Sequence, residues 1–231
     1  MCSSDLCIRS NGGTIEVEGG HALHGKEFVV PGDMSSAAFF IVAALSVPDS
    51  RLKLSNVGLN PTRTGLISLL KDAKGKISVT PGPIGTGEPV GDIVVETSHI
   101  STLEVAGSLI PNVIDEIPVL AVLGTRTDTG IRIRDASELR VKETDRIRAV
   151  ATNLRALGAT VEEYPDGLFV PGRQKLHGGT VDSFGDHRIA MAFAIAGLIA
   201  DGPVFIKNPN CAAISFPSFF ELLEKVCVAE S

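Results

Sequence analysis

Three times along the chain an acidic residue leads straight into a run of small, apolar residues of helical length. The runs are GDMSSAAFFIVAALSV at Asp33, DEIPVLAVLGTRTDTG at Asp115 and GDHRIAMAFAIAGLIADG at Asp186. After each comes a β-rich stretch, RLKLSNV, GIRIRDA or PVFIKNP, and then an amphipathic helix, GLISLLKDA, TDRIRAVATNLRALGA or FPSFFELLEKV. Alternating runs close the first two passages, KISVTPG with DIVVETS and TVEEYPD with GLFVPGR, and these read as hairpins. The implied unit is βαβαββ, an α/β (α+β) arrangement. The repeats are too unevenly spaced for a solenoid, but they suit a supersecondary unit with variable loops.

The third copy stops after its second helix, so its closing strands are expected to be absent or to come from elsewhere in a larger protein. Ahead of the first helix, TIEVEGG and EFVVPG read as strand pieces. Both ends suggest a truncated chain, with residues 1–30 a lead-in and residues 31–231 one lobe. The opening MCSSDL fits no periodic pattern and is left out of the fold.

With 231 residues, 44% of them hydrophobic and 21% charged, the chain has ample material for a core. Aromatic content of 5% without a single Trp leaves few stacking platforms, which argues against single-stranded nucleic acid. A formal charge of -6 offers polyanions no global attraction, so an anionic ligand has to be held by a local cluster of Arg and Lys. Cys2, Cys7, Cys211 and Cys227 show neither metal spacing nor a disulfide framework, and read as reduced thiols in a cytoplasmic protein. No apolar run has transmembrane length and no signal peptide opens the chain, so neither a membrane nor secretion is expected.

Acidic and hydroxyl residues at helix starts are ordinary caps worth about 1 kcal/mol each. Three such helices in one lobe can also aim their N–H ends at one face, which suits phosphate or carboxylate. Within residues 137–159, Ile147, Val150, Leu154 and Leu157 form a buried helical stripe. Lys142 and Arg146 share a different face if that helix starts early enough, with Glu143 in its first turn or just before it. Cations at a helix start run against the dipole, and a bound anion would explain them. Arg188 opens a helix that is otherwise almost wholly apolar and needs a partner, either Asp186 or a bidentate anion. His187 has no second ligand at metal spacing and reads as structural or orienting. Asp115 and Glu116 precede a helix with Pro118 near its start. They read as caps, or as a base where burial lifts a carboxyl pKa.

GDMSSAAFF, NPTRTG, IDEIPVLAV, LRVKETDR, DHRIAMAF and SFPSFF occur in the order seen in the 3-phosphoshikimate 1-carboxyvinyltransferases, or 5-enolpyruvylshikimate-3-phosphate synthases, which the chain resembles from Gly32 to Phe220. The resemblance implies one lobe of a two-lobed enzyme, an inside-out α/β barrel of βαβαββ units of the enolpyruvyl transferase type. It also implies shikimate 3-phosphate and phosphoenolpyruvate as substrates, bound between the lobes. Asp115 would accept a proton from the attacking hydroxyl, Glu143 would assist proton transfer, Lys142 would bind shikimate 3-phosphate, and Arg146 and Arg188 would clamp phosphoenolpyruvate. Asp186 and His187 would support them. Neither metal nor organic cofactor is implied, and the complete enzyme is expected to be a monomer without nucleic-acid partners.

The chain departs from the family at Ile214, where some members carry a lysine, and in the ending of the KDAKGKISV helix. It also lacks a counterpart of the N-terminal lobe, so it is expected to be inactive alone. Two rivals stand beside this expectation: a catalytically silent anion-binding lobe, and an enzyme like UDP-N-acetylglucosamine 1-carboxyvinyltransferase.

Overall fold

The computed structural model describes residues 8–20, 22, 24, 25, 27, 29–82 and 88–227. It opens with β1 (Ile8–Asn11) and β2 (Thr14–Val17), an antiparallel hairpin whose residues are all exposed. TIEV is therefore a strand, but among the described residues it pairs only within this hairpin. Of EFVVPG, Phe28 lies outside the described residues, and Gly32 makes an isolated parallel bridge to Val57.

The first unit comprises α1 (Met34–Ser46), β3 (Arg51–Gly58), α2 (Gly65–Asp72), β4 (Lys76–Pro81) and β5 (Val90–Glu96). Its three strands form an antiparallel sheet with β5 in the middle. The second unit runs β6 (Thr102–Val105), α3 (Ile110–Val113), α4 (Ile117–Gly124), β7 (Gly130–Ile133), α5 (Arg146–Ala156), β8 (Glu162–Tyr164) and β9 (Gly167–Pro171), with sheet order β6-β7-β9-β8. The third holds β10 (Gly179–Asp182), α6 (His187–Ile199), β11 (Val204–Lys207) and α7 (Phe219–Val226), with β10 and β11 parallel. Among the described residues no closing hairpin follows α7.

Composition explains the layering. α1, α4 and α6 are apolar nearly all round and are buried nearly all round, packed on one another at the centre. Their alanines let the helix axes approach closely. The sheets of the first two units form an outer wall and present alternate residues inward, as the burial of Ile93 and Val95 on β5 shows. Gly124 sits where α4 presses on β7, and an added Cβ would collide with Ile131. At the turn into β7, Gly130 takes a positive φ of 113° against the carbonyl of Val170, a place only glycine fills.

No single described helix is long and apolar enough to cross a membrane. The one bent pair of sufficient length, Gly107–Val113 with Ile117–Gly124, turns through 109°, and its second member lies in the core.

Candidate active site

Four helices, α1, α4, α5 and α6, begin at one end of the lobe, and their first residues meet there. Two of the three repeated aspartates act as caps. Asp33 accepts from Ser36 N at 2.8 Å, and Asp186 accepts from Arg188 N at 2.8 Å and Ile189 N at 3.4 Å. Asp115 does not cap its helix. Glu116 occupies the N-cap position of α4 without a side-chain capping bond, and the expected caps at this helix are thereby corrected.

The Asp115 carboxylate instead spans two arginines. Arg146 Nη1 reaches Oδ1 at 3.1 Å and Arg188 Nη2 reaches Oδ2 at 3.1 Å. Arg146 is the hub: its Nε donates to Asp186 Oδ2 at 2.7 Å and its Nη2 to Glu143 Oε2 at 2.6 Å. The Arg146 side chain is 2% exposed and that of Asp186 0%, whereas Arg188 retains 14%, Asp115 31% and Glu143 49%. An arginine so deeply buried is tenable because charge-assisted hydrogen bonds surround it. Two guanidiniums thus face three carboxylates, and an incoming anion has to displace a resident carboxylate to reach them.

Lys142 stands apart from this cluster. Helix α5 starts only at Arg146, with Asp145 as its cap accepting from Arg148 N at 3.0 Å, so Lys142 and Arg146 share no helical face. Lys142 follows a 3-10 turn (Ser137–Val141), and its Nζ pairs with Glu138 Oε1 at 2.5 Å. The loop bearing Lys142 and Glu143 is pinned by Arg140, which bonds Asp145 at 2.8 Å, Glu163 at 3.1 Å and the Pro165 carbonyl at 2.9 Å. His187 is half-buried, and desolvation lowers its pKa, with the Asp186 charge opposing. Ile214 is 76% exposed at the end of a second 3-10 segment (Pro209–Ile214). Among the described residues no group of His, Cys, Asp or Glu could hold a metal ion.

A further neighbour is Glu116, read from sequence beside Asp115 as a cap or a base. Glu116 is 3% exposed, and burial lifts its pKa, partly opposed by a hydrogen bond with Ser35 and by the Arg188 charge. Ser35 Oγ accepts from Arg63 Nη2 at 2.8 Å, so the NPTRTG loop, the start of α1 and the start of α4 lock together. The adjacent carboxylates made a lifted pKa legible, but not which one would be buried. Arg63 lies within a quoted motif and bonds Ser35 inside the first unit, while the contact of Ser35 with Glu116 crosses to the second.

Fold and cluster together define an α/β lobe of the enolpyruvyl transferase class. A solved EPSP synthase from Acinetobacter baumannii superposes with a TM-score of 0.89 at 36% identity, covering 95% of this chain and 51% of that one. The family model for EPSP synthase (3-phosphoshikimate 1-carboxyvinyltransferase) matches residues 5–223, and the chain belongs to that family. The 3-phosphoshikimate 1-carboxyvinyltransferase of Geobacter sulfurreducens is 48% identical over 221 residues, 96% of this chain and 52% of the relative. That of Solibacter usitatus is 53% identical over 214 residues, 93% and 50% respectively. The chain spans about half the length of the curated relatives it matches.

Proposed function

We propose that this chain is the C-terminal lobe, with residues 1–30 as lead-in, of a cytoplasmic, monomeric enzyme that transfers the enolpyruvyl group of phosphoenolpyruvate to the 5-hydroxyl of shikimate 3-phosphate. The observation that carries the proposal is the Asp115 carboxylate bridged between Arg146 and Arg188 where α4, α5 and α6 begin.

In this proposal the substrate 5-oxygen bonds to C2 of phosphoenolpyruvate as its proton passes to Asp115. C3 gains a proton with Glu143 nearby, giving a tetrahedral intermediate. The C2–O bond to phosphate then breaks, C3 gives up a proton, and inorganic phosphate leaves with the vinyl group restored. Arg188, the more exposed guanidinium, takes the phosphoenolpyruvate anion by exchanging it for Asp115, which frees that carboxylate for its own hydroxyl. Arg146 joins the clamp once Glu143 or Asp115 turns away. Fixed cations of this kind stabilise charge in the transition state by several kcal/mol because they need no reorganisation. Lys142 exchanges Glu138 for shikimate 3-phosphate.

The self-satisfied cluster favours an isolated chain that binds anions weakly without turnover. The decisive experiment uses the complete enzyme, with the preceding coding sequence in frame. Phosphate release that depends on phosphoenolpyruvate and shikimate 3-phosphate, uncompeted by UDP-N-acetylglucosamine, is the expected result. Dependence on the UDP-sugar would overturn it. Phosphate release at an enzymatic rate by the 231-residue chain alone would overturn the need for a second lobe.

A further inference from the structure

We propose that the third unit is completed by the β1–β2 hairpin of a second copy of this chain, laid along the free edge of β11. The first two units show what this position takes. In each, a hairpin follows the second helix, and its later strand pairs antiparallel with the strand that follows the first helix: β5 with β3, and β9 with β7. The third unit repeats the rest of the pattern. β10 runs parallel to β11 as β6 does to β7, and Asn208, two residues beyond Ile206, takes the left-handed conformation (φ 51°) that Asp135 (φ 59°) takes two residues beyond Ile133.

Among the described residues only β10 pairs with β11, so the second edge of β11 keeps its main-chain donors and acceptors open. Phe205 on this strand is 64% exposed, and Phe220, Leu222 and Val226 of α7 are exposed as well, whereas α5, the equivalent helix of the second unit, packs against β8 and β9. The β1–β2 hairpin has the complementary defect. Ile8 lies opposite Val17 and Ser10 opposite Ile15, so the three apolar residues share one face, and that face is bare.

The fit can be followed residue by residue. The pair Asn11–Thr14 closes a two-residue turn, as Tyr164–Gly167 closes that of β8–β9. Counted from the turn, Ile15, Glu16 and Val17 fall where Leu168, Phe169 and Val170 lie, and in the second unit Leu168 and Val170 are buried opposite Ile133 and Ile131. β11 offers half-buried Ile206 and Val204 at those places. The pairing is therefore Ile15 with Ile206, Glu16 with Phe205 and Val17 with Val204, and a slip of one residue would turn both apolar residues outward. On the outer face Glu16 then stands diagonal to Lys207, an opposite charge. Within one chain the hairpin and β11 belong to separate sheets, which points to a second copy as the donor. Exchange in both directions closes a twofold dimer. This docking is independent of the chemistry proposed above.

Sedimentation equilibrium of this chain is expected to show a monomer–dimer exchange with a Kd of about 10 µM, in keeping with a small interface. Val17→Lys, which sets an ammonium group against Val204, should weaken the dimer at least about tenfold and leave the thermal midpoint of the monomer unchanged, since the hairpin packs on no part of the core. The double variant Glu16→Cys with Phe205→Cys places two thiols directly opposite in this register, with Cβ atoms about 5 Å apart. Mild oxidation of a mixture of isotopically light and heavy chains should join the two substituted positions in peptides that link a light chain to a heavy one. A sample that stays monomeric at about 1 mM, a dimer indifferent to Val17→Lys, or a disulfide confined to light–light and heavy–heavy peptides, the mark of a chain closing on itself, would each overturn the proposal.

Discussion

Asp115 and Arg188 lie 73 residues apart in sequence and meet with Oδ2 and Nη2 3.1 Å apart, while Arg146 holds the other Asp115 oxygen. This pair is the most accessible part of the cluster. In the complete enzyme, Arg188→Ala is expected to raise the KM for phosphoenolpyruvate and to lower kcat together, with a loss in kcat/KM of about 10²–10³. Steady-state kinetics of purified protein check this, and unchanged constants would remove Arg188 from the site.

The Arg146–Asp186 pair behaves differently, because both side chains are enclosed. Replacing Asp186 with Ala removes the cap of α6 and leaves a buried guanidinium short of a partner. The expected destabilisation is about 3–5 kcal/mol, read as a fall in the urea midpoint. Asp186→Asn, which keeps a capping oxygen, should cost less than the alanine variant.

Glu116 supplies a pH signature. Its carboxyl pKa is raised in the folded state by burial, so the folded chain holds a proton that the unfolded chain has released above the ordinary carboxylate value of 4.5. Its contribution to stability is therefore fully present below that value and declines as pH rises through the folded pKa. Glu116→Gln has no such proton to lose. Denaturation midpoints between pH 4.5 and 8 should decline less in the variant than in the parent, and parallel profiles would refute the assignment.

Lys74 occupies the position after the α2 C-cap with a φ of 72°, where the equivalent end of α5 carries Gly158 with a φ of 85°. A lysine in that conformation is strained by about 1 kcal/mol. Lys74→Gly should accordingly raise the thermal midpoint by about 2–4 °C, measured by calorimetry.

The repeat was legible because apolar runs and turn residues carry their own periodicity. GLISLLKDA, TDRIRAVATNLRALGA and FPSFFELLEKV all appear as helices, and both expected hairpins pair as read. The convergence of helix starts was open in sequence only as an alternative to ordinary capping, because it depends on packing between passages. The start of α5 was not legible, since Thr144 and Asp145 are both acceptable caps in sequence and the contacts of Arg140 with Glu163 and Pro165, which pin the preceding loop, cross to another part of the chain. Nor was Arg146 as a hub, because its partners Asp115 and Asp186 lie in other passages and the choice between a carboxylate and an external anion is made by packing.

The exposed β1–β2 hairpin has a consequence for how the chain behaves in a tube. Ile8, Ile15 and Val17 are 48%, 70% and 55% exposed, and neither strand has a second neighbour among the described residues. Such a ribbon offers unpaired main-chain donors and acceptors beside apolar side chains, a template for edge-to-edge growth. Association of concentrated samples is expected to start at this ribbon, ahead of any opening of the buried core. A lysine at position 15 would slow it without touching the rest of the molecule.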